Sequence, residues 1–254
     1  MIGVSVVHWL MAEHGWTFEL APGATGDTLY GLPYLHELYA RALPRYTGRV
    51  TVPVLWDRER ATIVSNESRE LLRMLDVEFA ALHTVPITLY PKALRGKIDR
   101  TLDAIYGPIN NGVYRAGFAT EQGAYEEAVH ELFKALDHWE GVLARQRFLC
   151  GEVVTEADLC LFTTLLRFDP VYVGHFKCNV RRIVDYPQLG NYLRDLYQLP
   201  GVAEVCNMQH IKEHYYRSHP QINPHRLIPV GPVLTLGEKH DRGRFGGELF
   251  ATVT

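Results

Sequence analysis

The chain of 254 residues is 47% hydrophobic and 22% charged, a composition typical of a globular protein with one or two domains. Its 26 basic and 29 acidic side chains give a net charge of −3, and no block of like charge favours nucleic acid or an anionic membrane. No stretch of about 20 apolar residues and no signal-peptide pattern occurs, so we expect a cytoplasmic protein with neither kind of partner.

The first part of the chain has the element pattern of an α/β domain. Residues 2–7 form a β-branched run that predicts a buried strand, and the Gly- and Pro-containing residues 15–30 predict a long loop. A short helix is predicted in "YLHELYARAL", directly after Pro33.

A β-hairpin and a second helix are predicted next. Residues 50–56 and 62–64 read as two strands on either side of the charged turn "DRER". Asn66 is expected to cap a helix that ends near Leu75. This part of the chain is therefore expected to be α/β.

Two features beside this hairpin would suit a zwitterionic amino-acid group. Pro53 has no N–H and is tolerated in a strand mainly at an edge; with a cis peptide before it, the Val52 backbone would be free to pair with an extended ligand. Glu67 and Ser68 stand at a helix start, where backbone donors favour a carboxylate, and Glu67 could bind an ammonium group. A plain edge-strand proline and a solvated helix start explain the same residues, so both interpretations stay open.

After residue 91 the pattern becomes helical. Apolar residues recur at spacings of three, four and seven over residues 125–143, which predicts an amphipathic helix. Thr155 and Asp158 have the spacing of a capping box, and the apolar helix that follows should run through the middle of an all-helical domain. From Leu227 onward, Gly, Pro and charged residues predict an extended or partly disordered tail.

These elements, taken in order, resemble the cytosolic glutathione transferases. The segments "GWTF", "GATGDTLYG", "YTGRVTVPVLWD", "TIVSNES", "INNGVYRAGFA", "LFTTLLRFDPVYVGHFKCN" and "HYYRSHPQINP" resemble one class, the glutathionyl-hydroquinone reductases or Xi (omega-like) transferases. The resemblance implies a thioredoxin-like domain at residues 1–80, shortened at its N-terminus, an all-helical domain at 81–232 and a tail at 233–254. It also implies a homodimer.

The resemblance further implies a glutathione site in the first domain. Trp16 would lie over the glutathione, Arg49 would hold a carboxylate, and Val52 would pair with the cysteinyl backbone. Glu67 and Ser68 would hold the γ-glutamyl head. Glutathione would be the co-substrate, and no metal is implied.

A second implied group of residues would serve a quinone or hydroquinone conjugate. Tyr114 would donate a proton to the aromatic substrate or accept one from it. Tyr172 and Tyr215 would direct their hydroxyls at the catalytic sulfur and lower its pKa. In this family a cysteine thiolate attacks the sulfur of a glutathionyl-hydroquinone, and a second glutathione resolves the mixed disulfide.

The family's nucleophile lies in a Cys-Pro-Trp-Ala type motif that does not occur in these 254 residues. We expect the reacting cysteine upstream of Met1, and a weakened first domain in which residues 2–7 fray or pair with the strand at Thr51. If the short form is the natural one, the chain would instead be a non-catalytic module for binding glutathione, an aromatic ligand or a protein. None of the four cysteines present is expected to replace the nucleophile. Cys178 belongs to the family pattern elsewhere in the helical domain, and three others are expected in or beside core helices: Cys150, Cys160 and Cys206.

A histidine pair suggests a different kind of site. His210 and His214 in "HIKEH" stand one helical turn apart, a spacing that can hold a metal. No glutamate follows His210 directly and no third ligand is evident in the sequence. A packed or surface pair is the favoured interpretation.

Overall fold

The structure, a computed structural model, describes residues 2–252. They divide into two compact units, Met1–Leu72 with Asn207–Ile228, here the N-terminal unit, and Arg73–Cys206 with Pro229–Thr254, here the helical unit. The N-terminal unit is therefore completed by residues that follow most of the helical unit in sequence. The domain boundaries at residues 80 and 232 stay predictions.

Eight α-helices and six short strands are formed within residues 2–252. In chain order they are β1 (Met11–Ala12), β2 (Gly15–Trp16), α1 (Leu35–Ala42), β3 (Leu55–Asp57), β4 (Thr62–Ser65), α2 (Ser68–Arg73), β5 (Ile87–Thr88), α3 (Arg95–Ile105), α4 (Gly112–Gly117), α5 (Gln122–Leu143), α6 (Glu156–Arg167), α7 (Pro187–Tyr197), α8 (Met208–Ser218) and β6 (Ala251–Thr252). No helix in the described part of the chain has the length and apolar character needed to cross a membrane.

The N-terminal unit contains two antiparallel hairpins, β1–β2 and β3–β4. The predicted hairpin around "DRER" is confirmed, although its first strand is limited to Leu55–Asp57. The predicted helix after Pro33 is confirmed as α1. Its buried side chains Leu35 and Leu38 pack with Phe18 in the core of this unit.

The predicted strand over residues 2–7 is wrong. The Val6 N–H donates to Thr25 Oγ1 at 2.8 Å, and the Thr25 N–H donates back to the Val6 carbonyl at 3.1 Å. A threonine side chain in a loop thus takes the place of a neighbouring strand. Residues 2–5 are exposed, and within residues 2–252 this segment has no pairing with Thr51.

The helical unit is built from helices that bury their apolar faces. The amphipathic helix predicted over residues 125–143 is confirmed as the 22-residue α5, which buries Leu132, Leu136 and Leu143 completely. The predicted capping box at the start of α6 is also confirmed, since the Thr155 N–H donates to Asp158 Oδ2 at 2.8 Å. Most of α6 is buried, as its apolar sequence predicts.

The tail, predicted to be extended or partly disordered, has little regular secondary structure and contacts the helical unit at several points. β6 pairs with β5, and a 3₁₀ turn at Arg242–Phe245 buries the Arg242 side chain completely. The Arg242 guanidinium donates at 2.7 Å to the carbonyl of Leu143, the last residue of α5, and at 2.6 Å to the carbonyl of Gln146 just after it. These carbonyls would otherwise lack partners, so the arginine acts as a C-terminal cap for α5.

Candidate functional site

A polar contact holds the backbone beside Val52. The buried Tyr39 hydroxyl donates to the Thr51 carbonyl at 2.8 Å and accepts from the Thr51 N–H at 3.3 Å and from Asn66 Nδ2 at 3.1 Å. Asn66 Nδ2 also donates to Thr51 Oγ1 at 3.0 Å. The prediction that Asn66 caps α2 is therefore wrong, because its side chain points back to Thr51. Tyr39 was not predicted to have a role here.

Val52 is exposed next to this contact. The Val52–Pro53 peptide is cis, and Val52 is 40% exposed. Within residues 2–252 the Val52 N–H and carbonyl form no hydrogen bond. The backbone groups predicted to pair with a ligand are thus unpaired and belong to an exposed residue, while Thr51 next to them is fixed.

The predicted γ-glutamyl contacts lie just before and at the first residue of α2. The Glu67 N–H donates to Ser65 Oγ at 3.1 Å, which in turn donates to Glu70 Oε2 at 2.7 Å, and α2 begins at Ser68. Both Glu67 and Ser68 are exposed, and their side chains have no polar partner in the described part of the chain. The Arg49 guanidinium is likewise exposed and unpaired there.

Trp16 lies in β2 and is half-buried. Its indole stacks on the His214 imidazole of α8, with ring centroids 4.8 Å apart and an interplanar angle of 25°. His214 Nδ1 also lies 2.9 Å from the Trp9 carbonyl. His214 is therefore a packed histidine, and within residues 2–252 no group of three metal-ligating side chains occurs.

An aromatic cluster in the helical unit brings two of the predicted tyrosines together. Tyr114 on α4 and Tyr172, which ends a π-helical turn after α6, have ring centroids 6.0 Å apart. Phe176 stacks on Tyr172 with centroids 5.4 Å apart and lies 5.2 Å from Phe118. Both Phe118 and Phe176 follow a predicted tyrosine by four residues, a helical spacing that could have indicated them.

Close packing at Gly117 sets the position of Phe176. A Cβ at residue 117 would meet the Phe176 ring at 2.2 Å, so the ring occupies the space that any other residue would need. Tyr172 is buried, whereas Tyr114 and Phe118 are 37% and 42% exposed. The cluster therefore presents two aromatic side chains to solvent above a packed aromatic base.

Tyr215 lies in the N-terminal unit, on α8, and is buried. Its ring centroid is 5.1 Å from that of His214 and 5.8 Å from that of His219. The N-terminal unit thus holds Tyr215 together with Trp16, Arg49, Val52, Glu67 and Ser68. The helical unit holds Tyr114 and Tyr172.

Three of the four cysteines are in surroundings that disfavour a thiolate. Burial raises the pKa of the Cys178 thiol to about 12 and also raises the pKa values of Cys150 and Cys206. Cys178 is fully buried and Cys150 is 2% exposed. Because the thiolate is the nucleophilic form, these three residues lack the properties of a catalytic cysteine.

Comparison with known proteins agrees with this architecture. Residues 122–195 match the family described as "Glutathione S-transferase, C-terminal domain". Glutathionyl-hydroquinone reductase YqjG of Escherichia coli is 55% identical over 247 residues, covering 96% of this chain and 75% of that protein. Glutathionyl-hydroquinone reductase PcpF of Sphingobium chlorophenolicum is 48% identical over 236 residues, covering 93% and 75%.

Solved structures give the same result. The glutathione-bound structure of YqjG matches with a TM-score of 0.92 at 55% identity, covering 94% of this chain and 78% of that one. The Xi-class glutathione transferase of Natrialba magadii matches with a TM-score of 0.94 at 54% identity, covering 95% and 74%. The protein therefore has the glutathione-transferase fold and belongs to the family of Xi-class glutathione transferases, the glutathionyl-hydroquinone reductases.

Proposed function

We propose that the protein is a glutathione-dependent reductase of glutathionyl-hydroquinones. Two relatives that are 55% and 48% identical carry this activity in their names. The observation that carries the proposal is the set of unpaired polar groups at Arg49, Val52 and Glu67, all exposed in the N-terminal unit. A peptide with two carboxylates, an ammonium group and an extended backbone would satisfy all of them.

Each group matches one part of glutathione. The Val52 N–H and carbonyl pair with the cysteinyl residue as a strand edge pairs with an extended peptide. Glu67 binds the ammonium group of the γ-glutamyl head, and the Ser68 hydroxyl donates to its carboxylate. Arg49 holds a carboxylate by a charge-assisted hydrogen bond, and Trp16 covers the tripeptide. The glutathione-bound structure of the YqjG relative supports this use of the fold.

The aromatic cluster of the helical unit serves the hydroquinone ring. Tyr114 and Phe118 present aromatic surface, and aromatic rings pair favourably at the centroid distances found within this cluster. The Tyr114 hydroxyl exchanges the proton with the substrate. In the N-terminal unit, Tyr215 donates a hydrogen bond that favours the thiolate form of the reacting sulfur.

The proposed reaction is a two-electron reduction of the glutathionyl-hydroquinone. A thiolate forms a disulfide bond with the glutathionyl sulfur while the bond from that sulfur to the ring carbon breaks. The electron pair of the broken bond stays on the ring carbon, which takes a proton. A second glutathione thiolate then attacks the mixed disulfide, so that two thiol-derived sulfurs are oxidised to glutathione disulfide and the first thiolate is regenerated.

The identity of the first thiolate is a separate part of the proposal. The raised pKa values of Cys150, Cys178 and Cys206 argue against these residues.

The proposal also covers the location of the protein, its oligomeric state and its partners. We place the protein in the cytoplasm, where reduced glutathione is available, and expect a homodimer. Neither nucleic acid nor a membrane is a proposed partner, in line with the net charge of −3.

Glutathione titration by calorimetry tests the binding site directly, since binding requires no nucleophile. Glu67→Gln should weaken glutathione binding about tenfold, because a charge-assisted hydrogen bond to the ammonium group is lost. Glu59→Gln is the matched control, an exposed glutamate in the turn between β3 and β4.

Turnover is measured with a glutathionyl-hydroquinone as the substrate, and the hydroquinone and glutathione disulfide products are expected in a one-to-one ratio. Glutathione binding without turnover would instead support the non-catalytic module. Absence of glutathione binding would overturn the proposal.

A further inference from the structure

The hairpin that carries Trp16 is too short to hold its own shape. Strands β1 and β2 have two residues each, with Met11 paired to Trp16 and Ala12 paired to Gly15. Isolated two-stranded hairpins are marginally stable even when their strands are longer. Something outside the hairpin must therefore fix the position of the indole.

Helix α8, which lies in the second of the two sequence segments that form the N-terminal unit, supplies this support. The His214 ring stacks on the Trp16 indole with centroids 4.8 Å apart, and His214 Nδ1 lies 2.9 Å from the Trp9 carbonyl. Because a carbonyl oxygen only accepts hydrogen bonds, His214 Nδ1 is the protonated nitrogen in this contact, and its N–H donates a hydrogen bond to the Trp9 carbonyl. One side chain thus holds both the indole and the backbone leading into the hairpin.

Ser218, one helical turn after His214, makes the second contact. Its Oγ accepts from the Met11 N–H at 3.0 Å and lies 3.4 Å from the same Trp9 carbonyl. Met11 is the direct partner of Trp16 in the hairpin. The serine therefore fixes the strand opposite the indole, while the histidine fixes the indole itself.

Both contacts come from buried or half-buried side chains. Ser218 is 8% exposed and His214 is half-buried, so their hydrogen bonds are protected from competing water. The ring of Trp9 lies under the Arg217 guanidinium at 5.6 Å. Three residues of α8 thus contact the segment from Trp9 to Trp16.

We propose that His214 and Ser218 are positioning residues that set the orientation of Trp16 for glutathione binding. The link to glutathione rests on the proposed function, whereas the clamp on the hairpin does not. Neither side chain needs to contact the tripeptide. Their effect is transmitted through the indole plane and through the Met11–Trp16 pair.

Four variants separate the ring stack from the hydrogen bonds. His214→Ala removes both the stack and the bond to Trp9, whereas His214→Phe restores a flat ring without the Nδ1 donor. Ser218→Ala removes the acceptor of the Met11 N–H. Gln209→Ala is the matched control, an exposed residue on the same helix.

Two measurements are made on each variant: the Kd for glutathione by calorimetry, and the exchange rate of the Met11 amide hydrogen. We expect His214→Ala to raise the Kd about 3- to 10-fold and His214→Phe to recover most of that loss, because aromatic stacking supplies the orientation. Ser218→Ala should speed Met11 exchange about fivefold, the effect of losing one hydrogen bond. Gln209→Ala should change neither.

The outcomes distinguish this proposal from the proposed function. If the wild-type protein does not bind glutathione, the proposed function fails, and the exchange rates still decide whether the clamp exists. If glutathione binds but His214→Ala matches Gln209→Ala in both measurements, the positioning role is overturned. If His214→Ala weakened glutathione binding only through a general loss of folding, His214→Phe would not restore the affinity.

Discussion

The two units are stabilised by different kinds of contact. In the helical unit, long helices bury apolar faces, and Asp158 at the start of α6 is fully buried with four hydrogen-bond donors around it. In the N-terminal unit, strands of two to four residues alternate with irregular segments held by side-chain contacts to the backbone. The Asp27 carboxylate, for example, accepts from the N–H groups of Leu29, Tyr30 and Leu32 at 2.9–3.1 Å.

This difference in backbone hydrogen bonding indicates which unit is suited to bind a peptide. Irregular backbone leaves N–H and carbonyl groups unpaired, as at Val52, and those groups are what a peptide ligand requires. Each irregular segment then needs a polar side chain to fix it, because no ladder of backbone hydrogen bonds does so. The helical unit, with its backbone satisfied internally, supplies apolar and aromatic surface instead.

The largest effect is expected from Asp158→Ala in the helical unit. The substitution removes the acceptor for the Leu149 and Thr155 N–H groups and for the Thr155 and Tyr192 hydroxyls, all within 2.8 Å. We expect the free energy of unfolding to fall by about 3–4 kcal/mol, because buried donors lose their partner. Urea denaturation measures it. Glu121→Ala is the control, since Glu121 precedes α5 without a side-chain cap and should have little effect.

Arg242→Ala should have the next largest effect. The guanidinium is fully buried and donates to the Leu143 and Gln146 carbonyls at the end of α5. Loss of these bonds should cost about 2–3 kcal/mol and speed hydrogen exchange over residues 229–252. Arg244→Ala, which alters a partly exposed arginine in the same turn, is the control. An unchanged exchange pattern would contradict the role of Arg242 in holding the tail.

Asn66→Ala tests a side-chain hydrogen bond that fixes an irregular backbone segment of the N-terminal unit. It removes the donors to Tyr39 and Thr51, at 3.1 and 3.0 Å, but leaves the backbone fold intact. We expect a loss of about 1–2 kcal/mol in the free energy of unfolding and a weaker affinity for glutathione, because the segment before Val52 loosens. Thr47→Ala, at an exposed site in the same unit, should change neither quantity. Equal affinities for the two variants would contradict the role assigned to the irregular backbone.

The smallest effect concerns the pH dependence of stability in the helical unit. Burial raises the pKa of Cys178 from 9.0 to about 12, so the folded state keeps a proton that the unfolded state loses above pH 9. Stability therefore falls as pH rises through this window, by about 1 kcal/mol between pH 9 and pH 10 from this group. Denaturation at both pH values should show a shallower fall in Cys178→Ala. Identical pH slopes in the variant and the wild-type protein would refute this.

The sequence predicted local patterns well and distant contacts poorly. α5 and the capping box at α6 follow from helical spacing and from two residues three positions apart, so both were predicted correctly. The strand over residues 2–7 was wrong because its partner is the side chain of Thr25. The tail was predicted to be extended or partly disordered, and nothing in its composition indicated that Arg242 contacts the end of α5.

The same limit applies to the candidate site. Val52, whose backbone is unpaired, and Glu67, whose side chain is unpaired in the described part of the chain, are both among the residues singled out from the sequence. The support of Trp16 by His214 was not predicted, since the two residues are far apart in sequence and "HIKEH" indicated only a packed pair or a metal site. Tyr39 was missed for a similar reason, as its hydroxyl contacts Thr51 through the fold of the N-terminal unit.

The N-terminal unit is formed by two separate segments of the chain, and this affects its folding during synthesis on the ribosome. Residues 73–206 must be translated before α8 emerges, because the unit consists of Met1–Leu72 and Asn207–Ile228. At about 5–20 residues per second this delay is on the order of 10 s. During that interval the nascent hairpin lacks His214 and Ser218, so the support of Trp16 is completed only after residues 73–206 have been made.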